Sequence, residues 1–261
     1  MTPGDLEAVD AATIERVAPW LGRVIRGWFR TSVEGLEHLP SRPFVGVGNH
    51  SGAAMLPDTL SWLDVYYRRG NRPPLVTLAH DAMFDVYPGW LSGRLSQLGA
   101  VRADPSLASL ALQRGFAVQC YPGGDHDACR PFWRRNRIEF AGRTGYVRLA
   151  RQAGVPIVPV VSVGAHEALL VLWDGAPLAR WLGAPTSMRL ATFPVTVSVP
   201  WGLFVGPLPG YLPLPTKVSL RVLPPLDPEA GSVDEVDRRV RGCMQAAADA
   251  MAEERRFPVI G

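Results

Sequence analysis

"FVGVGNHSGAAMLPD", residues 44–58, is the stretch whose reading decides the fold. Phe44-Val45-Gly46-Val47 is an apolar run of strand-forming residues, as in a strand buried on both faces. It stops at Asn49-His50. Small residues follow, and then Pro57-Asp58 precedes a helical pattern. A strand passing through a glycine-rich loop into a helix is the repeating unit of an α/β sheet. The same reading sets His50 at the carboxyl end of a strand, the rim where open α/β sheets bind ligands.

The pattern repeats on both sides of this stretch. "TSVEGLEHLP" before it reads as a short strand and turn. "PLVTLAH", "FAVQCYPGG", "VPIVPVVSVGAH" and "KVSLRVLPPL" after it read as strands. Helical segments lie between them. "PDTLSWLDVYYRRG" has Asp58 as expected cap and Gly70 as expected terminator, and "DPSLASLALQRG" has Asp104 as cap. "GWLSGRLSQLG" and "RTGYVRLARQAG" are helical as well. Ser232-Val-Asp-Glu235 is a capping box that opens a last helix, with Val236, Val240, Met244 and Met251 inward. The expected fold is α/β: one domain with a mixed, mostly parallel central sheet flanked by helices.

Residues 1–30 form an amphipathic helical segment ahead of the domain at 31–261. Ile14, Val17, Leu21, Val24, Ile25 and Trp28 recur at helical spacing, with Arg16, Arg23, Arg26 and Arg30 between them. Pro19 is expected to break or start this helix. A basic helix with tryptophans suits a membrane interface, and the same pattern suits a first helix packed on the core. Within the domain, an apolar, proline-rich insertion is expected around residues 168–216. Its Leu190–Thr216 part has no charged residue and six prolines, so it cannot be a spanning helix. It reads as loop and short strands packed on the body and facing lipid.

Composition bounds the function. Hydrophobic residues make up 47% and charged residues 20% of 261, enough for a sizeable core and against global disorder. A net charge of +3 is too small to argue for nucleic acid but fits an anionic surface or substrate. The three cysteines, Cys120, Cys129 and Cys243, suggest no disulfide framework. The acidic opening "MTPGDLEAVD" is unlike a signal peptide, so a reducing, cytoplasmic setting is expected.

Two clusters carry chemistry. A histidine near its free pKa accepts a proton at neutral pH, and a carboxylate such as Asp58 orients the ring and stabilises the imidazolium. The second cluster is "YPGGDHDACRPFWRRNRIEFAGR", residues 121–143. Gly123-Gly124 after a strand offers backbone N–H groups to an oxyanion or phosphate. Arg130, Arg134, Arg135, Arg137 and Arg143 suit an anionic headgroup or form a solvated basic loop. Asp125, His126, Asp127 and Cys129 fit no strong metal-ligand spacing, and no metal is expected. Gly46-x-Gly48-x-x-x-Gly52 is not the dinucleotide fingerprint, and there is no G-x-S-x-G elbow.

In order along the chain, "GLEHLP", "RPFVGVGNHSG", "LGAVRAD", "YPGG" and "FAGRTGYVRLARQAGVPIVPVV" resemble the blocks of the lysophospholipid acyltransferase family, which includes the 1-acylglycerol-3-phosphate acyltransferases. The resemblance covers residues 31–226. It implies a glycerolipid acyltransferase-like fold and O-acyl transfer from acyl-CoA or acyl carrier protein to a lipid hydroxyl, such as a lysophospholipid. His50 would be the general base and Asp58 its partner, with Asp64 as the other acid in range. Arg102 aligns with the family's phosphate-contacting arginine. Gly123, Gly124, Arg130 and Arg143 fall in the blocks that would hold substrate. Acyl-CoA would be a co-substrate, with no cofactor. The partners would be an acyl thioester, a lipid acceptor and a membrane surface, the protein sitting peripherally on its inner face. Two departures stand out: His50 and Asp58 are eight residues apart where the family has H-x4-D, and Pro122-Gly-Gly replaces Glu-Gly-Thr-Arg. Pro-Gly-Gly is similar to relatives that use neutral lipid alcohols. A non-catalytic lipid-binding protein on the same fold is the alternative.

Overall fold

Alternate residues of the central strands face opposite sides of the sheet, and both sides are apolar. Val45, Val47, Val118 and Ile157 belong to one buried cluster; Phe44, Ala117, Val158 and Val160 belong to another. That two-sided burial requires helices on both faces. The computed structural model describes residues 2, 4–68, 72–85, 87–184, 190–207 and 210–261.

In chain order the main strands are β1 (Ser32–Glu34), β2 (Val45–Gly48), β3 (Leu75–Ala79), β4 (Ala100–Arg102), β5 (Ala117–Cys120) and β6 (Ile157–Val163). A small hairpin layer follows, β7 (Leu170–Trp173), β8 (Val195–Ser198) and β9 (Gly202–Val205), and then β10 (Ser219–Val222). The helices are α1 (Ala11–Phe29), α2 (Pro57–Tyr67), α3 (Ala82–Asp85), α4 (Gly89–Gln97), α5 (Pro105–Gln113), α6 (Gly124–Ala128), α7 (Gly145–Ala153), α8 (Ala176–Trp181) and α9 (Val233–Glu253).

The seven-stranded sheet has the order β1-β10-β6-β2-β5-β3-β4. The five strands from β6 to β4 are parallel; β10 runs antiparallel to β6, and β1 is parallel to β10. This is the expected mixed, mostly parallel sheet. Helices α5, α7 and α9 cover one face, with Val147, Val240 and Met244 buried there. Helices α1 and α2 cover the other, with Ile25, Phe29, Trp62 and Tyr66 buried. The β7-β8-β9 sheet is antiparallel and separate.

Most helix signals act as read. Asp104 caps α5 by accepting from Ser106 and Leu107 N–H, and Ser232 with Glu235 completes a capping box on α9. Two readings change. Pro19 lies inside a continuous α1 and does not break it. It is exposed, while Ile14, Gly22, Ile25 and Phe29 hold the opposite face to the body. Asp58 is not the cap of α2. Leu56 takes that position and Pro57 opens the helix, which frees the Asp58 carboxylate for other partners. The expected terminator Gly70 lies outside the described residues. No helix among the described residues is long and apolar enough to cross a membrane.

Candidate active site

Strands β2 and β5 are parallel neighbours, with Val47 opposite Cys120. Their carboxyl ends therefore deliver His50 and Tyr121 to the same rim. The two rings stack, with centroids 4.6 Å apart and 27° between planes. Asn49 fixes the next neighbour: its amide donates to Ser162 O and accepts from Ser162 N–H, both at 2.8 Å, across to β6.

His50 Nδ1 lies 2.9 Å from Asp58 Oδ2. The same oxygen accepts the Ser51 N–H at 2.9 Å, and Oδ1 accepts the Thr59 N–H at 2.7 Å. The carboxylate is thus buried but bonded on both oxygens. In the neutral ring this fixes Nδ1–H as the donor and leaves Nε2 as the basic nitrogen. Burial disfavours the imidazolium, yet the charge and hydrogen bond of Asp58, with Asp127 beyond it, more than offset this. The His50 pKa is raised above its ordinary 6.5.

The eight-residue spacing is absorbed locally. Gly52, Ala53 and Leu56 have φ of 76°, 44° and 46°, and a single 3-10 turn, Ala53–Met55, folds between them. At Gly52 the left-handed backbone and the approach of Pro57 Cδ, 2.4 Å from where a Cβ would sit, both require glycine. Asp64 is elsewhere. It is paired with Arg26 of α1 and lies 3.4 Å from Arg68, so it ties α2 to α1.

A second, fully buried layer holds the histidine backbone. Asp127 Oδ2 accepts the His50 N–H, and Oδ1 pairs with Arg130 Nη1 at 2.7 Å. The same Nη1 donates to His50 O at 2.7 Å. Arg130 Nη2 donates to Arg135 O at 2.6 Å. Arg130, expected to hold substrate, is 1% exposed and its guanidinium is occupied by internal acceptors. Burial pushes the Asp127 carboxyl up to about 6, against the pull of Arg130 and the His50 N–H. The sequence offers Asp127 only as a weak metal-ligand candidate beside Asp125, His126 and Cys129. Its signal is the i, i+3 spacing to Arg130, which follows the end of α6. Among the described residues no group of three or more histidines, cysteines or acids is placed to hold a metal.

The other expected substrate residues lie at the same rim with different surroundings. Gly123 admits no side chain, since a Cβ would meet Glu139 O at 2.2 Å. Gly124 N–H donates to Tyr121 O at 3.0 Å, so this expected oxyanion donor is already engaged in the turn into α6. Arg143 is half exposed and donates to Pro122 O and Gly123 O, both at 3.1 Å, bracing the Pro-Gly-Gly turn. Arg102, at the end of edge strand β4, is clamped by Asp85 at 2.7 Å and Asp81 at 3.3 Å. Its hydrogen bond holds the Asp85 carboxyl below the usual range.

The 168–216 stretch meets this rim. Tyr211 OH donates to Gly52 O at 2.6 Å, and Asp125 Oδ2 accepts the Thr192 N–H at 3.0 Å. The cysteines are withdrawn from solvent to different degrees. Cys120 and Cys129 are buried, and burial pushes both thiols up to about 12; Cys243 is half-buried on α9.

The fold is shared with a solved structure, the 1-acyl-sn-glycerophosphate acyltransferase PlsC of Thermotoga maritima. The TM-score is 0.56 at 18% identity, over 93% of this chain and 83% of that one. The chain belongs to the acyltransferase family, whose model matches residues 30–163, just over half of its length. An uncharacterised protein of Mycobacterium leprae is 31% identical over 202 residues, 77% of this chain and 52% of that protein. An uncharacterised protein of Mycobacterium tuberculosis is 30% identical over 202 residues, 77% of this chain and 53% of that protein. The chain spans about half the length of these curated relatives. A 1-acyl-sn-glycerol-3-phosphate acyltransferase of Pseudomonas aeruginosa is 28% identical over 188 residues, 69% of this chain and 63% of that protein.

Proposed function

We propose that the protein transfers a fatty acyl group from an acyl thioester, acyl-CoA or acyl carrier protein, to the hydroxyl of a glycerolipid, with His50 as general base. The observation that carries this reading is the 2.9 Å contact between His50 Nδ1 and Asp58 Oδ2 at the strand rim. Nε2 takes the proton of the acceptor hydroxyl as its oxygen attacks the thioester carbonyl. The tetrahedral oxyanion collapses, the C–O bond remains and the C–S bond breaks. The imidazolium returns its proton from Nε2 to the departing thiolate. Asp58 stabilises the imidazolium between these steps. A thioester is already activated, so no acyl-enzyme is required. With Gly124 N–H engaged, Gly123 N–H is the candidate oxyanion donor of the pair.

The acceptor we favour carries no phosphate monoester. Arg102 already has two carboxylate partners, and the Pro-Gly-Gly block that replaces Glu-Gly-Thr-Arg lacks its Thr-Arg pair. Arg143, half exposed beside the glycines, is the proposed contact for an anionic part of the donor.

The test is thiol release from acyl-CoA in the presence of monoacylglycerol, with lysophosphatidic acid as the comparison acceptor. His50→Ala is expected to lose about 10³-fold in rate, the usual worth of a positioned general base, with an unchanged melting curve. Undiminished release would sink the reading. No release by the native protein with any acceptor would leave a lipid-binding role on this fold.

A further inference from the structure

The small sheet has two unlike faces. Its inner face packs on the loop between His50 and Asp58: Val171 and Phe204 join Leu169 and Tyr211 against Ala53 and Met55. Its outer face carries two apolar rows across the strands. Leu170 pairs with Val197, and Val197 with Leu203; Trp173 pairs with Val195, and Val195 with Val205. Leu170 and Val195 are half-buried, while Trp173, Val197, Leu203 and Val205 are exposed. Leu203 is 66% and Val205 52% exposed.

The apolar surface continues onto α1. Leu212 N–H donates to Val199 O at 2.8 Å, which joins the 211–216 segment to the end of β8. Trp28 Nε1 then donates to Pro213 O at 2.9 Å. Trp28 ends an exposed stripe with Trp20 and Val24, four residues apart on one flank of the helix. Arg16 and Arg23 are exposed beside that stripe. At the hairpin tip, exposed Trp201 donates its Nε1 to Gly210 O at 2.5 Å.

We infer that the outer face of the β7-β8-β9 sheet, continued by Leu212 and by Trp28 and Trp20 of α1, docks on an anionic lipid bilayer. This rests on the proposed lipid acceptor and names the surface that brings the site to it. The chemistry selects lipid over a protein partner. Stable protein interfaces carry a hydrogen bond per roughly 100–200 Å². Here Leu170, Val195, Val197, Leu203 and Val205 offer no such groups, and the indole N–H groups of Trp28 and Trp201 are already bonded internally, which leaves those of Trp173 and Trp20 for the interfacial headgroup layer. Aliphatic residues bordered by tryptophan, with arginine alongside, are the pattern of an interfacial surface. The arginines give the charge complementarity, and Leu190–Thr216 contributes no carboxylate to oppose it.

The test is co-sedimentation with vesicles of phosphatidylglycerol and phosphatidylcholine, followed by protein mass and not by activity. The native protein is expected to bind. Leu203→Glu/Val205→Glu is expected to lower its partition coefficient at least about tenfold, through loss of two aliphatic anchors and added negative charge. Leu203→Ser/Val205→Ser, which perturbs folding least, is expected to lower it as well, with circular-dichroism melts unchanged. Arg16→Gln/Arg23→Gln should weaken binding to the anionic vesicles and not to pure phosphatidylcholine. No vesicle binding by the native protein would overturn the inference. So would equal binding by the folded sheet variants, or a native dimer in sedimentation velocity that Leu203→Glu dissolves while vesicles are ignored. Loss of binding on substitution upholds the surface whether or not thiol release is observed. Absent thiol release overturns only the acyl-transfer reading.

Discussion

The rim around His50 and the outer face of the small sheet invert the usual arrangement of polarity. At the rim, charged groups are inside: Asp58, Asp127 and Arg130 are all buried, and each is bonded to a named partner. On the small sheet, apolar groups are outside, in rows where only Trp173 has a side-chain hydrogen bond to make. Buried charge is tolerated only when geometry satisfies it, so the rim must be rigid. Exposed aliphatic rows cost nothing in geometry but call for a non-aqueous neighbour. One region fixes the position of His50 Nε2; the other leaves a surface that water solvates poorly.

The contrast can be broken at its rigid end first. Asp127→Asn leaves Arg130 as a buried, unpaired charge and is expected to cost about 3–5 kcal/mol in urea unfolding. The double variant with Arg130→Gln should recover part of that loss, and a simple sum of the single effects would show that the pair is not coupled. Asp58→Asn comes next, with a loss of about 10²-fold in thiol release. Its pH profile is the sharper reading. A general base must be unprotonated, and the native His50 pKa is raised, so native activity falls as pH drops through a value above 6.5. Without the Asp58 charge, burial dominates the ring and the acid limb moves to lower pH. A limb that stays in place would mean that another group titrates there.

Smaller effects probe the join between the two regions. Tyr211→Phe removes the bond to Gly52 O and is expected to cost about 1 kcal/mol, with a matching loss of turnover and little change in vesicle binding. Leu203→Ser should change stability by no more than about 0.5 kcal/mol, as for an exposed side chain without partners. A large loss of stability there would mean that the outer rows are packed in solution.

The α/β sheet was legible because two-sided burial writes itself into β2 and β6 as continuous apolar runs. The caps on α5 and α9 were legible because Asp104 and Ser232 act within three residues. Asp58 was legible as a candidate, although it was read as a cap. Its pairing with His50 depends on left-handed residues at 52, 53 and 56, and of these only Gly52 announces itself by type. Asp127 and Arg130 were not legible as a scaffold. Within "GDHDACRPFWRR" they look like one acid and one base of a solvated loop, and only the fold brings the His50 backbone between them. Arg102 was read from alignment of blocks; its two carboxylate clamps come from α3 and the turn before it, which block order does not convey.

The buried cysteines carry a practical consequence for enzymology. Cys120 and Cys129 are buried, and burial pushes both thiols up to about 12, which disfavours the thiolate that thioester exchange requires. The same two side chains will be slow toward alkylating and disulfide reagents while the fold is intact. A chromogenic thiol reagent present from the start of the reaction will therefore count departing thiol against a background set by Cys243 alone, and replacing that one residue with serine gives a silent reporter protein.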